Sequence, residues 1–586
     1  MSAPYQAPLP FMRLALEQAA RSSGWSDVGA LAGSLELLEP VLEGAARLAR
    51  EVLSPLNGVG DAQGSRLEAG TVRTPPGFPQ AYRHFREGGW TALAAPEDVG
   101  GQGLPLLIGA AATEMWAGAN LAFAMCPESA VGAIEALRRH AAPALRERYL
   151  PGLVSGESTA TMCLTEPQAG SDLSDTRTRA EPDAEAWRLY GRKIYISWGA
   201  HDLTEDIVHL VLARTPGAPA GTRGLSLFLV PRRVAGAGGA AVLNDIQVVS
   251  IEHKMGIRAS PTCVLAFGDR DGARGWLVGE RNDGLGCMFT VMNHMRLGVG
   301  LHSTGVAERA LQLAHAHARE RIQGRGRDGS PQPIIAHADV RRMLLGMRSL
   351  THASRALAYH AAAQLDLAHC QAAPDRERSA QRLALLTPLV KAWCSEVAVE
   401  VASLGVQVHG GLGFMEECEA SQVYRDARIG PIFEGTNYIQ AQDLLARKVL
   451  RDEGAALEAL LADIERAARS AAGTPAGTLC TELPRECERL RRATRALIAA
   501  RPAPARLGAI AHPYLHWLGI ITGGWQWLLS LEEISVQPDA WPESLARAVR
   551  DGARFYAAHV LPRAHGLGAV VEHGAESVLE AGLEEP

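Results

Sequence analysis

The feature that most constrains this chain is a change of pattern between residues 158 and 281. Six short runs stand there: Thr159–Thr165, Trp187–Ser197, Ile207–Ala213, Leu225–Val230, Ile246–Ile251 and Thr262–Phe267. They carry β-branched residues in period-two alternation, and Gly, Pro and Asp punctuate them. No helical stretch separates one run from the next, so they predict a compact antiparallel β domain and exclude the βαβ units of a dinucleotide-binding fold. Helical text flanks the block on both sides, which makes the expected class α+β.

The flanking text divides further. Residues 1–34 are a Pro-rich arm, and 35–157 read as an α-helical domain in which Leu37, Leu38, Val41 and Leu42 share one face. The segment Trp90–Pro105 is broken by Gly and Pro and reads as a loop; helices resume at 106–117 and 130–140. After the middle β domain (158–281), residues 282–451 hold amphipathic helices at 288–321, 340–363, 380–404 and 443–449, the pattern of a four-helix bundle. The stretch AAGTPAG at 471–477 reads as a linker within a helical C-terminal extension, 452–586.

Charge narrows the class of partner. With a net charge of −6 and 21% charged residues, no basic footprint points to nucleic acid or an anionic membrane. Residues 451–586 carry fourteen Arg and no Lys against eighteen Asp and Glu, which argues against DNA binding there. The first residues lack a basic start followed by an apolar core, and the nine cysteines form no CxxC pair. A cytoplasmic enzyme with reduced thiols is expected, with neither a metal site nor a disulfide framework.

The chemistry is concentrated in YRDARIGPIFEGTNYIQ, residues 424–440. Glu434 stands between an apolar run (Pro431, Ile432, Phe433) and a small polar turn (Gly435, Thr436, Asn437). Desolvation beside apolar groups raises a carboxylate's pKa and makes it a better proton acceptor near neutral pH. The turn's N–H groups suit a developing negative charge. An ordinary helix-capping Glu–Gly–Thr turn explains the same residues equally well.

Two further stretches offer ligand contacts. In TMCLTEPQAGSDLSD (161–175), small residues let a ligand approach the backbone, and the hydroxyls of Thr165 and Ser171 can donate to it. A plain turn is the alternative. In KIYISWG (193–199), Tyr195 or Trp198 could lie against a flat cofactor, with simple strand packing as the alternative.

Taken in order, TMCLTEPQAGSDLS, KIYIS, QVHGGLGF (407–414) and YRDARIGPIFEGTNYIQ resemble the acyl-CoA dehydrogenase family over roughly residues 35–450. The long arm and the extension resemble its larger bacterial branch. The resemblance implies an FAD-dependent α,β-dehydrogenation of an acyl-CoA to a trans-2-enoyl-CoA, with electrons leaving through an electron-transfer flavoprotein. An acyl-CoA oxidase returning electrons to oxygen, and a flavin-containing DNA-binding protein, are the competing readings.

The resemblance also implies roles residue by residue. Glu434 matches the base that takes the α-proton while hydride passes to flavin N5, its own N–H helping to polarise the thioester carbonyl. Leu164, Thr165, Tyr195 and Ser197 match positions lining the flavin ring, and Ser171 one near both the FAD pyrophosphate and the pantetheine chain. Arg321 and Gln323 match a helix end reaching the FAD of a neighbouring subunit. Gln407, Gly410 and Gly411 match a cross-subunit contact to its adenosine portion. Thr436 matches a further FAD contact, and Asn293, Arg296 and Gly435 match positions that hold acyl-CoA. These cross-subunit matches imply a homo-oligomer, expected to be a dimer.

Some residues depart from the pattern. Asp175 stands where a small residue is common, Trp198 replaces a common Asn, and Gly324–Arg325 replace Phe–Gly. Met292, His294 and Met295 place no carboxylate on the helix that carries an alternative base in a few relatives. Gly324, Gly326 and Gly329 spell GxGxxG but follow a helix rather than a strand, so they fail the context a nucleotide-binding turn requires. His409 is expected to be packed or hydrogen-bonded, and Arg425 with Asp426 to form a structural ion pair.

Overall fold

In the computed structural model, which describes residues 4–236, 240–471 and 477–582, the β text becomes one eight-stranded sheet. Its strands run in the order Ile246–Ile251, Thr262–Phe267, Ala186–Ser197, Ala273–Val278, Leu225–Pro231, Asp206–Arg214 and Ser158–Cys163. Arg179–Asp183 pairs off this path with Ala186–Ser197 and Asp206–Arg214.

The sheet corrects the expectation in two ways. It is not wholly antiparallel: Ser158–Cys163 lies parallel to Asp206–Arg214, with Ser158 opposite Asp206 and Cys163 opposite Val211. A parallel neighbour needs a long crossover, and the forty-odd residues between these strands supply it with two further strands instead of a helix. Nor do the central strands alternate between core and solvent, because both faces are covered. Val208, Leu210 and Leu212 enter one apolar core while Val211 and Ala213 enter the other; Leu227 and Leu229 divide from Phe228 and Val230 in the same way. Runs such as IVHLVLA are therefore apolar throughout.

Two compact units emerge. One comprises Ala45–Leu104 and Ala119–Met295, and contains the sheet; the other comprises Met1–Gly44, Pro105–Gly118 and Arg296–Pro586. In the sheet-containing unit, helix Pro143–Val154 and the apolar residues Ile134, Leu137, Met288 and Val291 cover one face of the sheet.

The helical unit is built on three long helices, Gly284–Glu320 (from Arg296), Ala338–His369 and Arg376–His409. The expected fourth is short. Asn437–Gln442 is α-helical and Asp443–Val449 continues it as a π-helix. A further long helix, Pro504–Val536 of the extension, packs on the bundle: Trp527 donates to the Ser349 carbonyl (3.2 Å), and Trp517, Trp525 and Trp527 are all buried. The N-terminal helix Leu9–Ser23 is tied to this same helix through Gln18–Gln526 and Arg21–Glu533 hydrogen bonds. Most of the 471–477 linker lies outside the described residues. One described helix, Leu106–His140, is long and apolar enough to cross a membrane, but 89% of its most apolar window is buried in protein.

Candidate active site

Glu434 sits at the bend that precedes helix Asn437–Gln442, and its backbone is left-handed, with φ +58°. A non-glycine residue is held there only where its surroundings over-determine it, and such strain clusters at functional positions. The restraints are visible. Thr436 caps the helix, its hydroxyl accepting from the Ile439 N–H, and Asn437 N–H donates to the Pro431 carbonyl (3.0 Å). The buried Gln440 side chain donates to both the Glu434 and Gly435 carbonyls, at 3.3 and 3.2 Å. Gly435 has φ +85°, and a Cβ there would lie 2.8 Å from Gln440 Nε2, so only glycine fits beneath the amide.

Burial dominates the electrostatics of Glu434. Desolvation raises the Glu434 carboxyl to about 7, and the nearby Arg296 and Lys391 cations pull it back only in part. Glu434 keeps some accessible surface, yet enough protein surrounds the carboxylate for desolvation to dominate. Lys391 is fully buried on helix Arg376–His409, and burial brings its ammonium down to about 7 against the pull of Glu434. Its Nζ donates to Asn437 Oδ1 at 2.9 Å. Asn437 in turn donates to the Ala392 carbonyl (3.2 Å), Ser395 Oγ (3.0 Å) and Glu396 Oε1 (2.9 Å).

Arg296 is buried, with Nη1 4.0 Å from Asp443. An arginine stays charged even when burial lowers its pKa, so it is a permanent cation beside Glu434. Neither Lys391 nor Gln440 was singled out as a site residue from sequence. Gln440 closes the quoted motif and Lys391 is one of four lysines in the chain, which are the only signals either offered.

In the sheet-containing unit the expected flavin positions fall on adjoining strand ends. Ile194 N–H donates to the Thr165 carbonyl (2.9 Å), which fixes Leu164–Thr165 against strand Ala186–Ser197. Beneath them lies a buried pair unforeseen from sequence: Lys193 Nζ donates to Glu166 Oε1 (2.8 Å) and to the Leu164 carbonyl (2.9 Å). Glu166 also accepts from Thr178 Oγ1 (2.6 Å) and the Arg177 N–H (2.7 Å). Burial would raise the Glu166 carboxyl, but Lys193 and these donors outweigh it and hold it at about 2.

Tyr195 is 62% exposed with φ +59°, so its ring is presented at the surface. Trp198 is not. It is fully buried, edge-on to His201 at 5.6 Å, and cannot lie against a cofactor; the indole was needed for packing. Ser197 is partly exposed and Ser171 exposed. The side-chain hydroxyls of Thr165, Ser171 and Ser197 have no hydrogen-bond partner among the described residues. An exposed aromatic face beside uncommitted hydroxyls is a donor set that fits a flavin. Asn293 is exposed on the same unit.

The remaining expected contacts gather at one end of the helical unit. Arg321 follows the helix end at Glu320, and Gln323 lies not in a helix but in strand Ile322–Arg325, which pairs with Pro331–Pro333. The GxGxxG glycines belong to this hairpin. Gln407, Gly410 and Gly411 are exposed where Arg376–His409 ends, and a Cβ at either glycine would meet nothing within 4 Å. His409 links the two groups: its Nδ1 contacts the Gly405 carbonyl (2.7 Å), and its ring stacks on His317 at 4.4 Å, as a packed histidine should. Arg425 lies 3.9 Å from Glu416, while Asp426 accepts from Gln422 (3.4 Å).

A strained, desolvated carboxylate beside two cations is chemistry suited to proton abstraction, and the chain's similarities give its class. Family models match in chain order: acyl-CoA dehydrogenase N-terminal domain (45–157), middle domain (161–270) and C-terminal domain (282–450), then acetyl-CoA dehydrogenase C-terminal like (438–581). The chain belongs to the acyl-CoA dehydrogenase family, whose members are FAD-dependent oxidoreductases. It is 47% identical over 542 residues to the 3-methylmercaptopropionyl-CoA dehydrogenase of Ruegeria pomeroyi, covering 90% of each chain. It is 36% identical over 433 residues to a butyryl-CoA dehydrogenase of Syntrophomonas wolfei, covering 71% of each. Its fold resembles that of Caenorhabditis elegans ACDH-11 in complex with C11-CoA, with a TM-score of 0.75 at 20% identity over 100% of this chain and 97% of that one.

Proposed function

We propose that this acyl-CoA dehydrogenase removes the α-proton of an acyl-CoA thioester with Glu434 and releases the trans-2-enoyl-CoA. The observation that carries the reading is the state of Glu434: desolvated to about 7, strained at φ +58°, and faced by Arg296 and Lys391. An α-hydrogen of a thioester is a weak acid, so the base must be desolvated, fixed in place and matched to the working pH. The N–H of Glu434 donates to no acceptor among the described residues, which suits it to the thioester oxygen as charge develops there. Lys391 and Arg296 keep a share of the base ionised at neutral pH, and Asn437 holds Lys391 in register.

No side chain accepts hydride, and bound FAD would supply that chemistry at the β-carbon. Leu164, Thr165, Tyr195 and Ser197, with Ser171, would hold it, and Arg321, Gln323, Gln407, Gly410, Gly411 and Thr436 would complete its contacts, in part across a dimer. Asn293 and Gly435 would contact the acyl-CoA. Electrons would pass to an electron-transfer flavoprotein. The 47% identity to the Ruegeria enzyme makes 3-methylmercaptopropionyl-CoA the first substrate to test, beside butyryl-CoA and longer chains.

The test is anaerobic bleaching of the flavin across that panel, in wild type and Glu434→Gln. The variant should keep its yellow colour and bind acyl-CoA while reduction slows by about 10²–10⁴-fold, the usual cost of a lost general base. Near-normal reduction would place the base elsewhere. Stoichiometric hydrogen peroxide during turnover would favour an oxidase.

A further inference from the structure

The extension helix Pro504–Val536 brings His512 and His516, one helical turn apart, over Glu396 on helix Arg376–His409. One ligand atom from each of the three lies within 4.8 Å of the others. The imidazole centroids are 4.4 Å apart, and His512 Nε2 is 3.8 Å from Glu396 Oε1, too far for a direct hydrogen bond. His516 Nε2 is buried with no hydrogen-bond partner among the described residues, an uncompensated cost unless something binds there.

We propose that Glu396, His512 and His516 bind a divalent first-row cation of the zinc type, which clamps the extension helix onto the bundle helix that carries Lys391. Two histidines at i and i+4 on one helix face with a carboxylate opposite are imidazole and oxygen donors suited to zinc. Ligand atoms on one tetrahedral zinc lie about 3.3 Å apart, so the trio would have to draw in by no more than about 1.5 Å to share an ion. Partial exposure of Glu396 and His512, at 34% and 48% of their side chains, gives the ion an entry path and leaves a fourth position for water. Glu396 is already oriented, because its Oε1 accepts from Asn437 Nδ2 at 2.9 Å, and such an outer partner raises affinity. Through Asn437 the ion would also buttress the group that holds Lys391.

The probe is Co²⁺, titrated into the chelator-treated full-length protein and followed by its visible d–d absorption, with Zn²⁺ as competitor. One equivalent should give the intense bands of a low-coordinate site, and Zn²⁺ should displace it. His512→Ala, at an exposed position, should keep the native circular dichroism and weaken binding by more than about 100-fold, beyond the 10–100-fold loss seen when an outer partner is removed. Zn²⁺ should raise the Tm of wild type and leave that of His512→Ala unchanged. His516→Ala gives a second arm with the same expectation. Absent binding, or equal affinity in wild type and both variants, would overturn the proposal, the latter assigning the metal to other surface histidines.

Discussion

At the scale of single residues, the proposed base Glu434 is governed by a balance between burial and two cations. As the proposed base Glu434 would work ionised, and with its carboxyl raised to about 7, kcat/KM should climb as pH rises through about 7 and level off above it. Lys391→Met removes a cation that pulls this value down, so the rising limb should shift upward by about one unit, within the range one nearby charge commands. A limb that stays in place would show that Arg296 alone sets the base. The carboxylate and its apolar neighbours were legible in the sequence, as were the glycine and the threonine that follow. Lys391, forty-three positions upstream, was not, since nothing local marks which lysine a folded helix will turn inward.

At the scale of elements, helix existence was readable and helix neighbours were not. The segments expected at 106–117 and 130–140 are one helix, Leu106–His140, interrupted at Asn120, whose φ of −163° and ψ of 91° leave the helical region. Local apolar periodicity survives such a kink, so the sequence pattern shows two helices where the chain makes one bent one. The glycines of the extension helix gain their meaning only from packing. A Cβ at Gly519 would lie 2.9 Å from Trp393 Nε1 and closer still to Cγ and Cδ1 of the same ring. Alanine there gains about 1 kcal/mol of helix propensity but must displace a buried indole, which typically costs about 1–3 kcal/mol. Gly519→Ala should therefore destabilise the protein by up to about 2 kcal/mol in denaturant titration, whereas a stabilised variant would mean the indole moves freely.

At the scale of the molecule, the helical unit encloses a charged network contributed by distant parts of the chain. Arg355, fully buried, donates to Glu114 (2.6 Å) and Glu308 (2.8 Å), and Tyr359 donates to Glu114 (2.7 Å). The ring of Tyr5 from the N-terminal arm seats over Gly118, where a Cβ would come within 2.8 Å of it. Arg355→Ala strands two buried carboxylates and should cost about 3–5 kcal/mol, measured as a lower denaturation midpoint. The exposed end of the bundle carries a different demand. Phe414 is 84% exposed beside Leu412 and Met415, next to the residues proposed to reach a neighbouring subunit's FAD. Phe414→Asp should shift the protein toward monomer in sedimentation experiments and weaken FAD retention together; an unchanged assembly would remove that face from the proposed subunit contact.

The sequence by itself determined the block order of helix, sheet and helix, the family, and the identity of the carboxylate expected to act as base. Each of these is written in residues close together, where period, turn chemistry and motif spacing act locally. Tertiary structure alone decided the parallel strand, the burial of Trp198, the Lys193–Glu166 pair under the strand ends, and the cations around Glu434. These depend on which distant side chains are desolvated together, and burial is a property of the folded chain rather than of any stretch of it.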